Sequence, residues 1–151
     1  MARTLSVKIP TATLIADVEA TIAKIDADIE AYPEKIKQYE ADLLAYKSEV
    51  TKFATDYITN NADKIGFEYD STIRLVQNHY SQSKFEIELD ISVIANFPQK
   101  PVKPEQPNTN QHFGREYTTR KAILEKNLRI LKMTSQEEVN ASSYSSVIDL
   151  I

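Results

Sequence analysis

The chain has 151 residues, carries 18 basic and 22 acidic side chains for a net charge of −4, and contains no Cys, no Trp and two Gly. Without Cys there is no disulfide framework, thiolate zinc site or cysteine nucleophile. Gly66 and Gly114 are too few for a Walker loop or G-x-G-x-x-G, which need several φ-permissive positions close together, and His79 and His112 lie 33 residues apart, so H-E-x-x-H is absent.

The N-terminus Met1-Ala2-Arg3-Thr4-Leu5 lacks the apolar stretch of a signal peptide, and no later run approaches membrane length. The chain therefore reads as cytosolic, and at 42% hydrophobic and 26% charged residues it has the composition of a packed domain rather than a disordered chain. Leu5, Val7 and Ile9 alternate with polar residues up to Pro10, the pattern of a short, half-buried strand over 4–9. Thr11 or Thr13 is placed to cap the helix that follows.

That helix carries the strongest signal. Ile15, Val18, Ile22, Ile25, Ile29, Tyr32, Ile36, Tyr39, Leu43, Tyr46, Val50, Phe53 and Tyr57 follow one another at spacings that alternate three and four, which is six heptads. Such a repeat keeps one seam facing a partner and supercoils it left-handedly. Pro33 removes an amide from the helix and either kinks it or breaks it at Tyr32. A hairpin needs a turn residue, which Ala31-Tyr32-Pro33-Glu34 does not supply, so a kinked continuous helix is expected. From Thr13 to Asp63 it is about 75 Å long, against about 30–35 Å for a body made of the remaining residues. A second copy of the chain is the simplest cover for the rest of the stripe. In a parallel pairing Lys35 meets Glu40 and Asp42 meets Lys47, so the seam is expected to hold a homo-oligomer, of open number and orientation.

Gly66 fits a helix end after Ile65. Phe85, Ile87, Leu89, Ile91 and Val93 alternate with Lys84, Glu86, Glu88, Asp90 and Ser92, a strand with one apolar and one acidic face. Across a Ser81-Gln82-Ser83 loop it pairs with a strand over 72–79, although 71–80 also fits a helix; the 4–9 strand is placed beside them. Pro98, Pro101, Pro104 and Pro107 recur with the period of a polyproline II rod, and 108–114 reads as a polar loop. Arg115–Met133 reads as a helix with Tyr117, Leu124, Leu128 and Leu131 on one stripe. Thr134 with Glu137 and Ser135 with Glu138 fit a capping box for a short helical turn. Ser142 or Ser143 starts a last helix carrying Tyr144, Val147, Ile148 and Ile151, expected to dock. The expected fold is thus α+β: 1–96 holds a strand, the long helix and the hairpin of a small antiparallel sheet of about three strands, 97–114 is a proline-rich linker, and 115–151 holds a basic helix and a short C-terminal helix, all in one structural unit.

Four features bear chemistry. The 115–133 helix has a net charge of +4 against −8 for the rest, and Arg120, Lys121, Arg129 and Lys132 could lie against nucleic acid phosphates or an anionic ligand; the simpler and expected reading is that they pair with the acidic long helix. Pro98-Gln99-Lys100-Pro101-Val102-Lys103 matches a P-x-x-P-x-K ligand, but short proline patterns arise often by composition, and a stiff spacer between sheet and basic helix is the expected role. Glu86, Glu88 and Asp90 share a face without the turns of a cation site, so a solvated face is expected. His79 and His112 lack sequence-local partners for acid–base work. No catalytic residue, metal site or cofactor is expected.

The opening Leu5-Ser6-Val7-Lys8-Ile9-Pro10-Thr11-Ala12-Thr13-Leu14-Ile15, the tyrosine-spaced acidic helix, the proline linker and the ending Leu128-Arg129-Ile130-Leu131-Lys132-Met133-Thr134-Ser135-Gln136-Glu137-Glu138-Val139 resemble small proteins encoded by tailed bacteriophages. The resemblance implies a protein made in a bacterial cell, located in the host cytoplasm or the virion, and carries over no functional residue. The expected function is a non-catalytic oligomeric assembly or interaction protein of virion, scaffold or adaptor type, whose partners are itself and other phage or host proteins. The alternative is an oligomeric binder that sequesters a host factor or a small anionic or nucleotide signal.

Overall fold

In a computed structural model, residues 6–78, 80 and 83–151 are described. The chain is α+β and divides into two compact units, one built from residues up to Ile36 together with Pro104–Ile151, the other from Lys37–Lys103. These units do not follow the boundaries at 96 and 114 that composition indicates, because a single helix, α1 (Thr11–Asn60), contributes to both. Pro33 lies inside α1 without ending it. The good helix formers around it, Glu30, Ala31, Glu34, Lys35 and Lys37, carry the helix past the missing amide. α1 stops at Asn60 rather than Ile65. The Asn61 side-chain amide donates to the Tyr57 carbonyl at 2.9 Å, and a 3-10 turn over Ala62–Lys64 follows. Gly66 is therefore no helix cap. Its requirement is space, since an added Cβ would stand 2.6 Å from Ser71 Oγ.

In the first unit β1 (Lys8–Pro10) pairs antiparallel with β7 (Glu138–Asn140), Ile9 opposite Val139. The expected place beside the 72–79 hairpin is incorrect, and Leu5 lies outside the described residues. Alternation specifies a buried face but not which strand completes the ladder. Thr11 does not cap α1. Its hydroxyl donates to the Gln136 carbonyl at 2.7 Å and its amide to the Glu137 carbonyl at 2.8 Å, so the approach to β7 takes up an open amide of the first turn. The capped helical turn expected at Thr134–Glu137 and Ser135–Glu138 does not form: none of these residues is helical, and Glu138 begins β7.

Residues 110–119, expected as loop and helix start, form the hairpin β5 (Asn110–Phe113) and β6 (Glu116–Thr119). Gly114 supplies the reversal at φ +63°, a conformation cheap for glycine. The β-branched Thr118 and Thr119 favour the strand, and Thr119 then caps α2 (Arg120–Met133), its hydroxyl accepting from the Ala122 amide at 3.1 Å. A 3-10 turn, Ala141–Tyr144, leads into α3 (Ser145–Ile148). The core joins these pieces: Leu14, Val18 and Ile25 of α1 pack with Leu124 and Leu131 of α2, Val139 of β7 and Val147 of α3. Complete burial of a side chain of this size is worth roughly 1.5–3 kcal/mol, so the C-terminal segment is part of the core.

The second unit holds a mixed sheet in the order β2 (Ile65–Gly66), β3 (Ile73–Gln77), β4 (Phe85–Leu89), β2 parallel and β4 antiparallel to β3. Within the expected 72–79 strand, Ile73–Gln77 is one, and His79, Ser81 and Gln82 lie outside the described residues. β4 ends at Leu89 instead of Val93 because Asp90 caps a 3-10 turn over Ile91–Val93, its carboxylate accepting from the Ser92 amide at 3.1 Å. Phe97–Gln106 then forms no helix, strand or turn. Asn96 and Asn108 flank the stretch with φ near +60° and +55°, which asparagine tolerates better than most residues.

Candidate interaction surface

The heptad seam divides into two parts. Ile15, Val18, Ile22 and Ile25 belong to the core of the first unit or pack against it, so they are satisfied within the chain and offer nothing to a partner, contrary to the seam read from the sequence. Beyond them Ile29 is 40% exposed, while Tyr32, Ile36, Tyr39, Leu43, Tyr46, Val50, Phe53 and Tyr57 are half-buried.

Part of that cover comes from the proline stretch, which lies against α1 in each unit. In the second unit the Phe97 ring meets Phe53 edge-on, 5.5 Å between centroids, and Phe53 stacks on Tyr57 at 6.4 Å. In the first, Glu105, Gln106 and Pro107 share a groove with Asp28, Tyr32 and Lys35. Pro98, Pro101, Pro104 and Pro107 are all half-buried.

The four cations on α2 do not converge. Arg120 donates through its guanidinium to the Leu150 carbonyl, with Nε at 2.7 Å. Lys121 bonds Asp26 of α1 at 2.5 Å and stands 3.6 Å from Glu125. The hydrogen bond it donates to Asp26 holds the Lys121 ammonium above its usual 10.5, against a smaller opposing effect of desolvation. Lys132 pairs with Glu19 at 2.5 Å. Arg129 is exposed and has no ion pair among the described residues. Two of the four thus neutralise the acidic face of α1 and a third holds the C-terminal segment. A groove of about 700 Å³ nearby combines apolar Phe113, Ile123, Ile130 and Leu150 with Glu116 and Lys126, which pair with each other at 3.1 Å.

The acidic residues of the hairpin are also engaged singly. Glu86 accepts from the Asn78 side chain at 3.0 Å, Glu88 pairs with Arg74 at 3.4 Å, and Asp90 holds its own 3-10 turn. Arg74 also lies over the Tyr69 ring, 4.9 Å from its centroid. Among the described residues no cluster of His, Asp or Glu could hold a metal ion, and no helix is long and apolar enough to cross a membrane. His112 lies 4.9 Å from the Tyr117 ring.

The residues that sequence reasoning missed lie in the second unit. Among its described hydrophobic residues Ile73 and Ile94 are buried, whereas ten large ones are exposed, Leu44, Phe67, Tyr69, Phe85, Ile87, Ile91 and Val93 among them. The alternation over 85–93 reveals an apolar face, and a face read from sequence is normally expected to be covered. This one is open, which is unusual for so many large side chains. No family model, curated protein or solved structure matches the chain.

Proposed function

We propose that the protein is a non-catalytic assembly or interaction protein that works as a homo-oligomer, associating through its second unit. The observation that carries this reading is the imbalance in that unit: among its described residues, two buried hydrophobic residues stand against ten large exposed ones. Packing of this kind leaves a small domain marginal on its own. A second copy laid along the part of α1 from Tyr39 to Tyr57 would complete the burial of side chains now half-covered, with Asp42 opposite Lys47 in a parallel arrangement. A non-catalytic role is supported by the titratable side chains of α2 and the hairpin, most of which are tied to different partners. A virion, scaffold or adaptor role in a tailed phage rests on the resemblance of the opening and closing segments. The sequestering alternative draws no support from the α2 cations.

Light scattering at micromolar concentration tests the reading. The expected mass is a multiple of the chain's, reduced to the monomer in the Leu43→Asp, Tyr46→Asp double variant, because an unpaired buried carboxylate costs several kcal/mol. A monomeric wild type refutes it.

A further inference from the structure

Among the described residues β4 is the outer strand of the second unit's sheet, with β3 on one side and no strand on the other. Which of its backbone groups are open follows from hydrogen-bond parity. The Asp90 amide donates to the Thr72 carbonyl at 3.1 Å and the Asn78 amide to the Lys84 carbonyl at 3.0 Å. In the register Ile73 to Leu89 through Gln77 to Phe85, these two bonds put the even-numbered residues of β4 in the paired sites facing β3. The amides and carbonyls of Phe85, Ile87 and Leu89 therefore point outward, and no described residue bonds them across the edge. Their side chains share one face of the sheet, on which Phe85 is 65% and Ile87 53% exposed. Glu86 and Glu88 project from the opposite face and are exposed.

We infer that the free edge of β4 takes up an extended segment of another protein in which apolar residues alternate with Lys or Arg. An antiparallel strand added there bonds its backbone to Phe85, Ile87 and Leu89, its apolar residues flanking theirs. The intervening residues fall opposite Glu86 and Glu88, where cross-strand side chains come closest. β3 already makes this match from the inner side, with Arg74 opposite Glu88 at 3.4 Å. Asp70 and Asp90 line a recess with Glu88 at the Leu89 end, so three carboxylates stand there against the single guanidinium of Arg74. A second copy is the wrong occupant. Antiparallel pairing of β4 with itself about Ile87 sets Glu86 against Glu88 twice, and like charges directly opposite are destabilising. The edge therefore selects against its own chain and for a basic strand.

The inference rests on the reading of the chain as an association protein, and the two fail separately, since the mass measurement uses no peptide. The probe is the blocked peptide Thr-Val-Lys-Ile-Lys-Val-Thr, with a control in which Glu replaces both Lys, added to the full chain. The lysine peptide is expected to bind about tenfold more tightly than the control, by a margin that narrows as salt rises, and to slow hydrogen exchange at the amides of Phe85, Ile87 and Leu89. Ile87→Pro removes an outward amide that β3 does not use, and should abolish that protection while leaving the melting curve near wild type. Glu86→Lys, which leaves the backbone edge intact, should erase or reverse the preference between the peptides, and it decides the matter if Ile87→Pro fails to fold. Absence of binding at millimolar peptide, equal binding of both peptides, or an unchanged preference in Glu86→Lys overturns the inference.

Discussion

Three leucines separate burial from pattern as the source of stability. Leu124 is fully buried in the core of the first unit, Leu44 on α1 is 71% exposed, and its neighbour Leu43, on the heptad seam, is half-buried. Each is replaced by Ala, so helix propensity changes little at any of them. At Leu124 the lost carbons cost about 0.8 kcal/mol apiece in transfer free energy. The cavity left among Leu14, Val18 and Leu131 adds to this, for a total of about 3 kcal/mol and on the order of 6–12 °C in melting temperature. At Leu44 the expected change is within about 0.5 kcal/mol. Leu43 distinguishes a lone chain from an assembled one: about 1 kcal/mol if its present cover is all it has, and about 2–3 kcal/mol, with a concentration-dependent transition, if a second copy completes it. The assay is urea unfolding followed by circular dichroism at two protein concentrations. A loss at Leu44 as large as that at Leu124 would refute the assignment of the core to the first unit.

Four further outcomes rest on individual contacts. Thr11→Val removes the hydroxyl bond to the Gln136 carbonyl and should cost about 1 kcal/mol in the same unfolding assay, while deletion of 144–151 should lower the melting temperature by many degrees because it removes Val147 from the core. Gly114→Ala has open space for its Cβ but keeps φ at +63°, so it should destabilise by about 1 kcal/mol, and Gly114→Asn by less. For Lys121, Asp26 raises the folded pKa above the ordinary 10.5; the pair stabilises fully below that pH and loses its effect as pH rises through the folded value. Melting temperatures between pH 9 and 12 should therefore fall more steeply for wild type than for Lys121→Gln, and identical slopes would remove the ion pair from the account.

Much of this architecture was legible in the chain itself because it depends on local periodicity. The heptads announce a helix of some fifty residues, the alternation from Phe85 announces a strand with an apolar and an acidic side, and the apolar residues of 144–151 announce a docked end. Phase is a property of neighbours in sequence, and neighbours are enough to define it. What they do not define is what lies opposite a face. Ile9 finds Val139 rather than the hairpin, and the first half of the seam finds α2 and α3 rather than another chain. Thr118 and Thr119 continue a strand where charge alone indicates helix, and Thr134–Glu137, though spelled like a capping box, forms no helical turn, as Gln136 and Glu137 present their carbonyls to Thr11. The open sheet face was likewise beyond reach, since Phe85 and Ile87 have the same pattern whether covered or bare. Partners at long sequence separation are chosen by the summed packing of the whole chain, and only the tertiary structure shows that this sum closes the core of the first unit and leaves the sheet of the second exposed.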